Sequence, residues 1–197
     1  MNETEYEKIA DALVENGYII IEDGVERELC EKLLKIAQEE SSYKEAGISS
    51  SEQHHIDKKK RRDKTVWIDE DGAVLSQYLL WSRGLQEYLN RSLYLGLSYY
   101  EVHFALYEAG DFYEKHLDAF RGSKNRVVTT VLYLNKEWHK ESGGELIIYD
   151  EEGNIITKVT PNMGTLVVFM SDRFPHEVVP ANTKRHSIAG WFRVDRK

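Results

Sequence analysis

The second half of the chain is a succession of short strand-like runs, and this pattern constrains the fold more than any other feature of the sequence. About eight such runs follow Tyr99, and turn-forming residues separate them. The runs read YEVHFALY, YEKHLDAF, RVVTTVLYLN, GGELIIYD, NIITKVTP, GTLVVFMSD, HEVVP and RHSIAGWFRV. Many short strands joined by turns are typical of a β-sandwich or a β-barrel.

The first half of the chain is predicted to be mainly helical. Its apolar residues recur at helical spacing in three stretches, and two short apolar runs between them favour strands. These elements cover residues 6–14, 18–21, 25–37, 65–68 and 74–93. Helices followed by strands indicate an α+β domain whose helices brace one sheet. Because no repeat or linker divides the chain, we predict a single domain over residues 1–197, with helical support from 1–98 and a β-barrel core from 99–197.

The polar segment 41–64, SSYKEAGISSSEQHHIDKKKRRDK, offers little to bury. A loop of this length inside a compact domain is usually functional or disordered. Its basic run KKKRR, at residues 58–62, has two interpretations. It is either a solvated part of the loop or a mobile segment that attracts an acidic partner.

The composition excludes several classes of partner and location. The net charge of −8 argues against a broad nucleic-acid surface, which needs clustered lysine and arginine. No apolar run approaches the roughly 20 residues that span a bilayer, and the acidic N-terminal region lacks the order of a signal peptide. The single cysteine, Cys30, cannot form an internal disulfide and suits a reducing compartment. We therefore predict a cytoplasmic protein with no nucleic-acid partner and no membrane association.

A histidine and a carboxylate lie two positions apart in the run YEKHLDAF. In a β-strand, residues i and i+2 point to the same face, so His116 and Asp118 are expected to converge while Leu117 turns away. Such a pair is half of a metal site, an orienting pair for acid–base chemistry or a surface coincidence. A third ligand downstream would decide between these interpretations.

His176 is the best candidate for that ligand among the seven histidines, because it opens a strand directly after SDRFP. His54 and His55 lie in the polar segment, and His103 fits a histidine packed within a sheet. Two histidines and one carboxylate form the facial triad that is typical of non-haem Fe(II) oxygenases. A zinc site with the same ligands would look identical.

An arginine nine residues after His176 adds a positive charge to the same part of the fold. Alternation in the run KRHSIAGWFR places Arg185, Ser187 and Trp191 on one face of a strand. A buried guanidinium must find an anion, and a bound dicarboxylate would supply one, with the Tyr133 hydroxyl as a further donor. The alternative is a salt bridge to one of the 34 acidic residues, beside a core tyrosine.

Together these motifs resemble the Fe(II)- and 2-oxoglutarate-dependent dioxygenases, and specifically the prolyl hydroxylases that modify hypoxia-inducible factor and their bacterial relatives. The resemblance runs from about Arg62 to Arg193. It is carried, in order, by RRDKTVWI, YEKHLDAF, RVVTTVLYLNKEW, SGGELIIY and SDRFPHEVVPANTKRHSIAGWF. It implies a double-stranded β-helix, a jelly-roll or cupin-like barrel that the N-terminal helices brace on one sheet.

The resemblance also implies Fe(II) as the metal, 2-oxoglutarate and O2 as cosubstrates, and ascorbate as a further reductant. The residues implied are His116, Asp118 and His176 for the metal and for catalysis; Arg185, Tyr133, Tyr107, Leu146 and Val178 for 2-oxoglutarate; and Asp63, Arg126 and Trp191 for the substrate. Asp63 and Arg126 would pair as segment 41–64, a mobile substrate loop, closes over a peptide. Because halogenating relatives lack the triad carboxylate, Asp118 points to hydroxylation.

The activity implied is that of a prolyl 4-hydroxylase, which hydroxylates a prolyl residue in a protein while 2-oxoglutarate is converted to succinate. The bacterial relatives suggest elongation factor Tu as the target. One alternative is a hydroxylase of a free amino acid or other small metabolite on the same fold. Another is a noncatalytic module that uses the pocket to sense a metal and an acid.

Overall fold

The computed structural model describes residues 3–50, 53–55, 59–69, 72–119 and 125–194. The helices of this part of the chain are α1 (Glu3–Glu15), α2 (Arg27–Glu39) and α3 (Ala73–Leu93), with a short 3₁₀ turn at Lys140–Ser142. The strands from the first 98 residues are β1 (Tyr18–Ile21), β2 (Lys44–Glu45), β3 (Ile48–Ser50), β4 (Gln53–His55) and β5 (Lys64–Trp67). The strands that follow are β6 (Tyr99–Tyr107), β7 (Tyr113–His116), β8 (Arg126–Tyr133), β9 (Leu146–Tyr149), β10 (Ile155–Val159), β11 (Leu166–Met170), β12 (His176–Val178) and β13 (Arg185–Arg193). All eight strands predicted after residue 98 are present.

Two antiparallel sheets face each other. The larger has seven strands in the order β1-β11-β8-β13-β6-β5-β2, and the smaller has four in the order β10-β9-β12-β7. Apolar side chains fill the space between them, among them Ile148, Val167 and Phe169. The predicted α+β class and double-stranded β-helix are confirmed.

The three helices cover the other face of the larger sheet. Each presents its apolar residues at helical spacing, as with Leu29, Leu33 and Ala37 on α2, and these residues join one core with the sheet. The helix α1 ends at Glu15; Gly17 follows it with a φ of +81°, which suits glycine, and the chain turns directly into β1. None of the helices in the described ranges is long and apolar enough to cross a membrane.

Strand alternation sorts the central strands between the two faces. On β13, Ile188 and Phe192 belong to the core under the helices, whereas Ser187 and Trp191 line a cavity between the sheets. On β8, Leu132 likewise packs under the helices. The apolar residues of these strands therefore pack under the helices, and the alternate residues face the cavity.

The polar segment 41–64 contains more regular structure than the sequence indicated. The strand β2 pairs with β5 at the edge of the larger sheet, and β3 pairs with β4 as a separate two-stranded sheet. The reason is that backbone groups at a sheet edge can pair with a polar neighbour that has no apolar pattern of its own. The predicted mobility of this segment falls partly on residues 51–52 and 56–58, which lie outside the described residues.

Gly190 leaves room for a buried hydroxyl network beneath β13. A Cβ at this position would press on the Tyr100 hydroxyl and lie 2.6 Å from its Cε2. That hydroxyl is hydrogen-bonded to Tyr78 at 3.0 Å and to Thr130 at 2.5 Å. Packing, and not backbone conformation, therefore requires glycine here.

We expect Gly190→Ala to lower the free energy of unfolding in urea by about 2–3 kcal/mol, because overpacking a rigid core forces side chains out of their rotamers. The control is the same substitution made in a Tyr100→Ala background, where the obstructing ring is gone. There the additional cost should fall close to zero. An equal cost in both backgrounds would contradict the steric explanation.

Candidate active site

Three predicted ligands come together where β7 and β12 pair. His116 is the last residue of β7 and His176 the first of β12, and the antiparallel register places them opposite each other. The His116 and His176 Nε2 atoms each lie 3.6 Å from an oxygen of Asp118. One ligand atom from each residue lies within 4.8 Å of the others.

The reason for this convergence differs from the one the sequence suggested. Asp118 lies beyond the end of β7, in a bend, so it does not share a strand face with His116. The cross-strand pairing of the two histidines brings the rings together, with centroids 4.3 Å apart, and the bend then carries the carboxylate to them.

The hydrogen bonds of both imidazoles leave their Nε2 atoms free to bind a metal. His116 Nδ1 lies 2.7 Å from the Glu114 carbonyl oxygen, and His176 Nδ1 lies 2.9 Å from that of Phe174. A carbonyl only accepts, so each Nδ1 carries the proton and each Nε2 presents a lone pair. A carbonyl partner on the outer nitrogen is the usual arrangement for a metal-bound histidine.

The titration properties of the cluster agree with a cation site. Burial lowers the pKa of His176 to about 4, so this imidazole is neutral at pH 7. Burial alone would raise the pKa of Asp118, but the facing His176 and His116 rings hold it well below its usual value. Two lone pairs and a carboxylate that face one another fit a divalent metal ion, and this donor set suits Fe(II).

Arg185 is buried, and its hydrogen bonds go to a carbonyl oxygen and a hydroxyl oxygen. It is 1% exposed; its Nε donates to the Gly144 carbonyl oxygen at 2.9 Å and one terminal nitrogen donates to Ser187 Oγ at 3.2 Å. The rings of Tyr107 and Tyr133 flank the guanidinium, with centroids 4.9 and 5.0 Å from Cζ. No carboxylate in the described part of the chain lies within ion-pair distance of it, so the salt bridge considered as an alternative is absent there.

The Tyr133 hydroxyl is a second buried polar group beside Arg185. It is fully buried and has no hydrogen-bond partner among the described residues. Burial raises the pKa of Tyr133 to about 12, against the opposing effect of Arg185, so the hydroxyl keeps its proton and can donate it. A charged donor and a neutral donor side by side form a site for a carboxylate.

One cavity of about 1060 Å³ joins the His–Asp cluster to Arg185. Six further residues predicted for the cosubstrate or the substrate line it: Asp63, Tyr107, Arg126, Leu146, Val178 and Trp191. Tyr133 is not among the lining residues and instead contacts Arg185 from within the sheet.

Asp63 and Arg126, which the resemblance pairs on closure over a peptide, have other partners in this structure. Asp63, which is 1% exposed, accepts two hydrogen bonds from Arg61, at 2.8 and 2.6 Å. Arg126 instead pairs with Glu101 and lies 3.8 Å above the Trp191 ring. A buried carboxylate needs a partner, and the guanidinium two residues away satisfies both its oxygens.

Neither of the two interpretations of KKKRR describes Arg61. The Arg61 side chain is only 12% exposed and lies 4.2 Å from the Tyr113 ring centroid, which is stacked in turn on His116. Arg61 therefore belongs to the wall of the cavity and not to a solvated loop. Backbone hydrogen bonds also join Lys60 and Arg62 to residues at the start of β7.

Sequence reasoning missed several groups at the site. His103 was interpreted as a sheet histidine; it is buried as expected but also lines the cavity, between the rings of Trp67 and Trp191. Ser187 lies on the same face of β13 as Arg185, and this spacing could have predicted that the two side chains contact each other. The contact of the Gly144 carbonyl could not be predicted from the sequence, because every residue has a backbone acceptor. The side chains of His54 and His55 lie outside the described residues.

The fold and the site together define a metal-dependent oxygenase. Residues 102–193 match the 2OG-Fe(II) oxygenase superfamily. The structure is similar to a Pseudomonas putida prolyl-4-hydroxylase, with a TM-score of 0.86 and 35% identity over 97% of this chain and 100% of that one. It is also similar to a Trichoplax adhaerens prolyl hydroxylase solved with a hypoxia-inducible factor peptide fragment, with a TM-score of 0.83 and 27% identity over 97% and 90% of the two chains.

The chain belongs to the 2OG-Fe(II) oxygenase superfamily. Among curated proteins, Egl nine homolog 1 of Rattus norvegicus is 41% identical over 85 residues. That alignment covers 42% of this chain and only 25% of the rat protein. The predicted resemblance is thus confirmed, as is the set of Fe(II), 2-oxoglutarate and O2 as metal and cosubstrates.

Proposed function

We propose that the chain is a prolyl 4-hydroxylase that acts on a proline in a protein substrate. The observation that carries the proposal is one cavity that holds three facing ligand atoms and an arginine with no carboxylate partner among the described residues. The similarity to solved prolyl hydroxylases supports the choice of reaction. We further propose that residues 1–197 act as one dioxygenase domain in the cytoplasm.

In this proposal His116, Asp118 and His176 hold Fe(II), which when bound supplies the redox chemistry that couples oxidation of 2-oxoglutarate to hydroxylation. The chain itself supplies binding, orientation and a dry pocket. Arg185 and Tyr133 bind the carboxylate of 2-oxoglutarate that lies away from the metal. Tyr107, Leu146 and Val178 form the wall of that pocket and exclude water from it.

The size of the cavity favours a peptide over a free amino acid. Its volume of about 1060 Å³ is at the upper limit of the roughly 300–1,000 Å³ that small-molecule pockets occupy. The residues that line it also include Trp191, Arg126 and Asp63. We propose that these three residues contact the substrate chain on either side of its proline, and elongation factor Tu is the candidate target.

The test is incubation of the iron-loaded chain with 2-oxoglutarate, O2 and either a proline-containing peptide library or free proline. We expect one oxygen atom to be added to prolyl residues of peptides, with succinate formed in proportion. Elongation factor Tu and an unrelated proline-rich protein form the matched pair for the target itself. Hydroxylation of free proline alone would support the small-metabolite alternative, and absence of any succinate would contradict an enzymatic role.

A further inference from the structure

A chain of buried hydroxyl groups leads away from Asp118. Thr129, on β8, donates a hydrogen bond from Oγ1 to Asp118 Oδ2 at 2.8 Å. The same Thr129 oxygen lies 2.8 Å from the hydroxyl of Ser171, which follows β11. Thr129 is 1% exposed and Ser171 is fully buried, so water does not compete for these bonds.

The direction of the two hydrogen bonds follows from their chemistry. Asp118 Oδ2 accepts, so it takes the single proton of the Thr129 hydroxyl. The Thr129 oxygen must then accept from Ser171, which is the donor of the pair. The bonds therefore run from Ser171 to Thr129 to Asp118, and a chain with one direction strengthens each of its members.

The backbone fixes both hydroxyls relative to the carboxylate. The Ser171 amide donates to the Val127 carbonyl at 3.0 Å, and the Ala119 amide donates to the Ser171 carbonyl at 3.3 Å. The second bond ties the residue next to Asp118 directly to the turn that carries Ser171. The hydroxyl chain and the bend after β7 therefore form one rigid unit.

The hydrogen bond distinguishes the two oxygens of Asp118. Oδ2 accepts from Thr129, whereas Oδ1 accepts no hydrogen bond from the residues that the structure describes and lies 3.6 Å from His116 Nε2. A carboxylate with one oxygen engaged and the other free presents a single oxygen to a metal in a fixed orientation.

We infer that Thr129, held by Ser171, is a positioning residue that orients Asp118 as a one-oxygen metal ligand. This inference rests on the proposed metal site. Thr129 supplies none of the three ligand atoms of the cluster; it acts by holding the carboxylate in the binding orientation before the metal arrives. Outer hydrogen-bond partners of metal ligands typically contribute about 10- to 100-fold to metal affinity.

The test measures Mn(II) affinity of the metal-free chain by electron paramagnetic resonance, with no turnover required. Thr129→Val keeps the shape of the side chain and removes the hydroxyl, so we expect roughly 10- to 100-fold weaker binding. Thr129→Ser keeps the hydroxyl and should restore affinity to within about 3-fold of the unmodified chain. Ser171→Ala removes only the distal donor and should weaken binding by less than Thr129→Val, by roughly 3- to 10-fold.

Thr130→Val is the matched control. Thr130 is equally buried on the same strand, but its hydroxyl contacts Tyr100 on the opposite face of the sheet. This variant should bind Mn(II) as tightly as the unmodified chain even if its unfolding temperature falls. The absorption spectrum of bound Co(II), which reports ligand geometry, should change with Thr129→Val and not with Thr130→Val.

Mn(II) affinity and a Co(II) spectrum unchanged by both Thr129→Val and Ser171→Ala would overturn the inference while leaving the metal site intact. An equal loss with Thr130→Val would also overturn it, because the effect would then be one of core stability. If Thr129→Val does not fold, Ser171→Ala alone decides, and wild-type affinity in that variant counts against the inference. Failure of the unmodified chain to bind Mn(II) would overturn the proposed function together with this inference.

Discussion

Asp118→Ala is expected to lower the rate of 2-oxoglutarate decarboxylation more than about 100-fold, because a lost ligand costs more than a lost outer partner of a ligand. The two histidines would remain, but their Nε2 atoms would face a void where the carboxylate oxygens now lie at 3.6 Å. The measurement is succinate formed at saturating 2-oxoglutarate and iron, with far-ultraviolet circular dichroism to confirm folding.

The matched control for this variant is Asp11→Ala, which removes an exposed carboxylate from α1. It should leave decarboxylation within about 2-fold of the unmodified chain, as surface substitutions usually have small effects. Folded Asp118→Ala protein that still forms succinate at an undiminished rate would remove Asp118 from the metal site.

Arg185→Ala is expected to raise the KM for 2-oxoglutarate roughly 100-fold, with a smaller effect on kcat. Removing one partner of a buried charge pair typically costs about 2–5 kcal/mol, and each 1.4 kcal/mol is a factor of ten in affinity. Unlike Asp118→Ala, this variant should bind Mn(II) normally. A raised KM with normal Mn(II) binding identifies a cosubstrate anchor, whereas weakened Mn(II) binding identifies a metal ligand.

Two arginine variants control for charge and geometry. Arg185→Lys keeps a positive charge but not the planar guanidinium, so its KM should lie between those of Arg185→Ala and the unmodified chain. Arg91→Ala removes an exposed arginine on α3 whose partner is the exposed Glu3, and it should leave the KM unchanged. A normal KM in folded Arg185→Ala would show that the anion binds elsewhere.

The strands of the barrel could be predicted because each carries its own local signal. Apolar alternation along β13 correctly separated Ile188 and Phe192 from Arg185 and Ser187, and turn residues correctly divided the strands from one another. The strands β2, β3 and β4 had no such signal. They are held by backbone pairing with an edge or with each other, which any polar residue can provide.

The partners of charged side chains could not be predicted in the same way. Asp63 was expected to meet Arg126, yet Arg61 satisfies both its oxygens and Glu101 takes Arg126. A chain with 26 basic and 34 acidic residues allows many possible ion pairs, and the sequence gives no reason to prefer one over another. Distances in the folded state select among them, and sequence spacing does not contain those distances.

The candidate residues for the chemistry could be predicted from the sequence: two histidines and a carboxylate, and an arginine on the inward face of a core strand. Residue type and the family resemblance indicated the histidines and the carboxylate, and strand periodicity placed Arg185 on its face of β13. The folded structure was needed to show that β12 pairs with β7 in the register that sets His176 against His116, and that Thr129 and Ser171 meet behind Asp118. Register and the contact of two hydroxyls from different strands depend on how whole sheets pack, because their energies arise between segments distant in the chain.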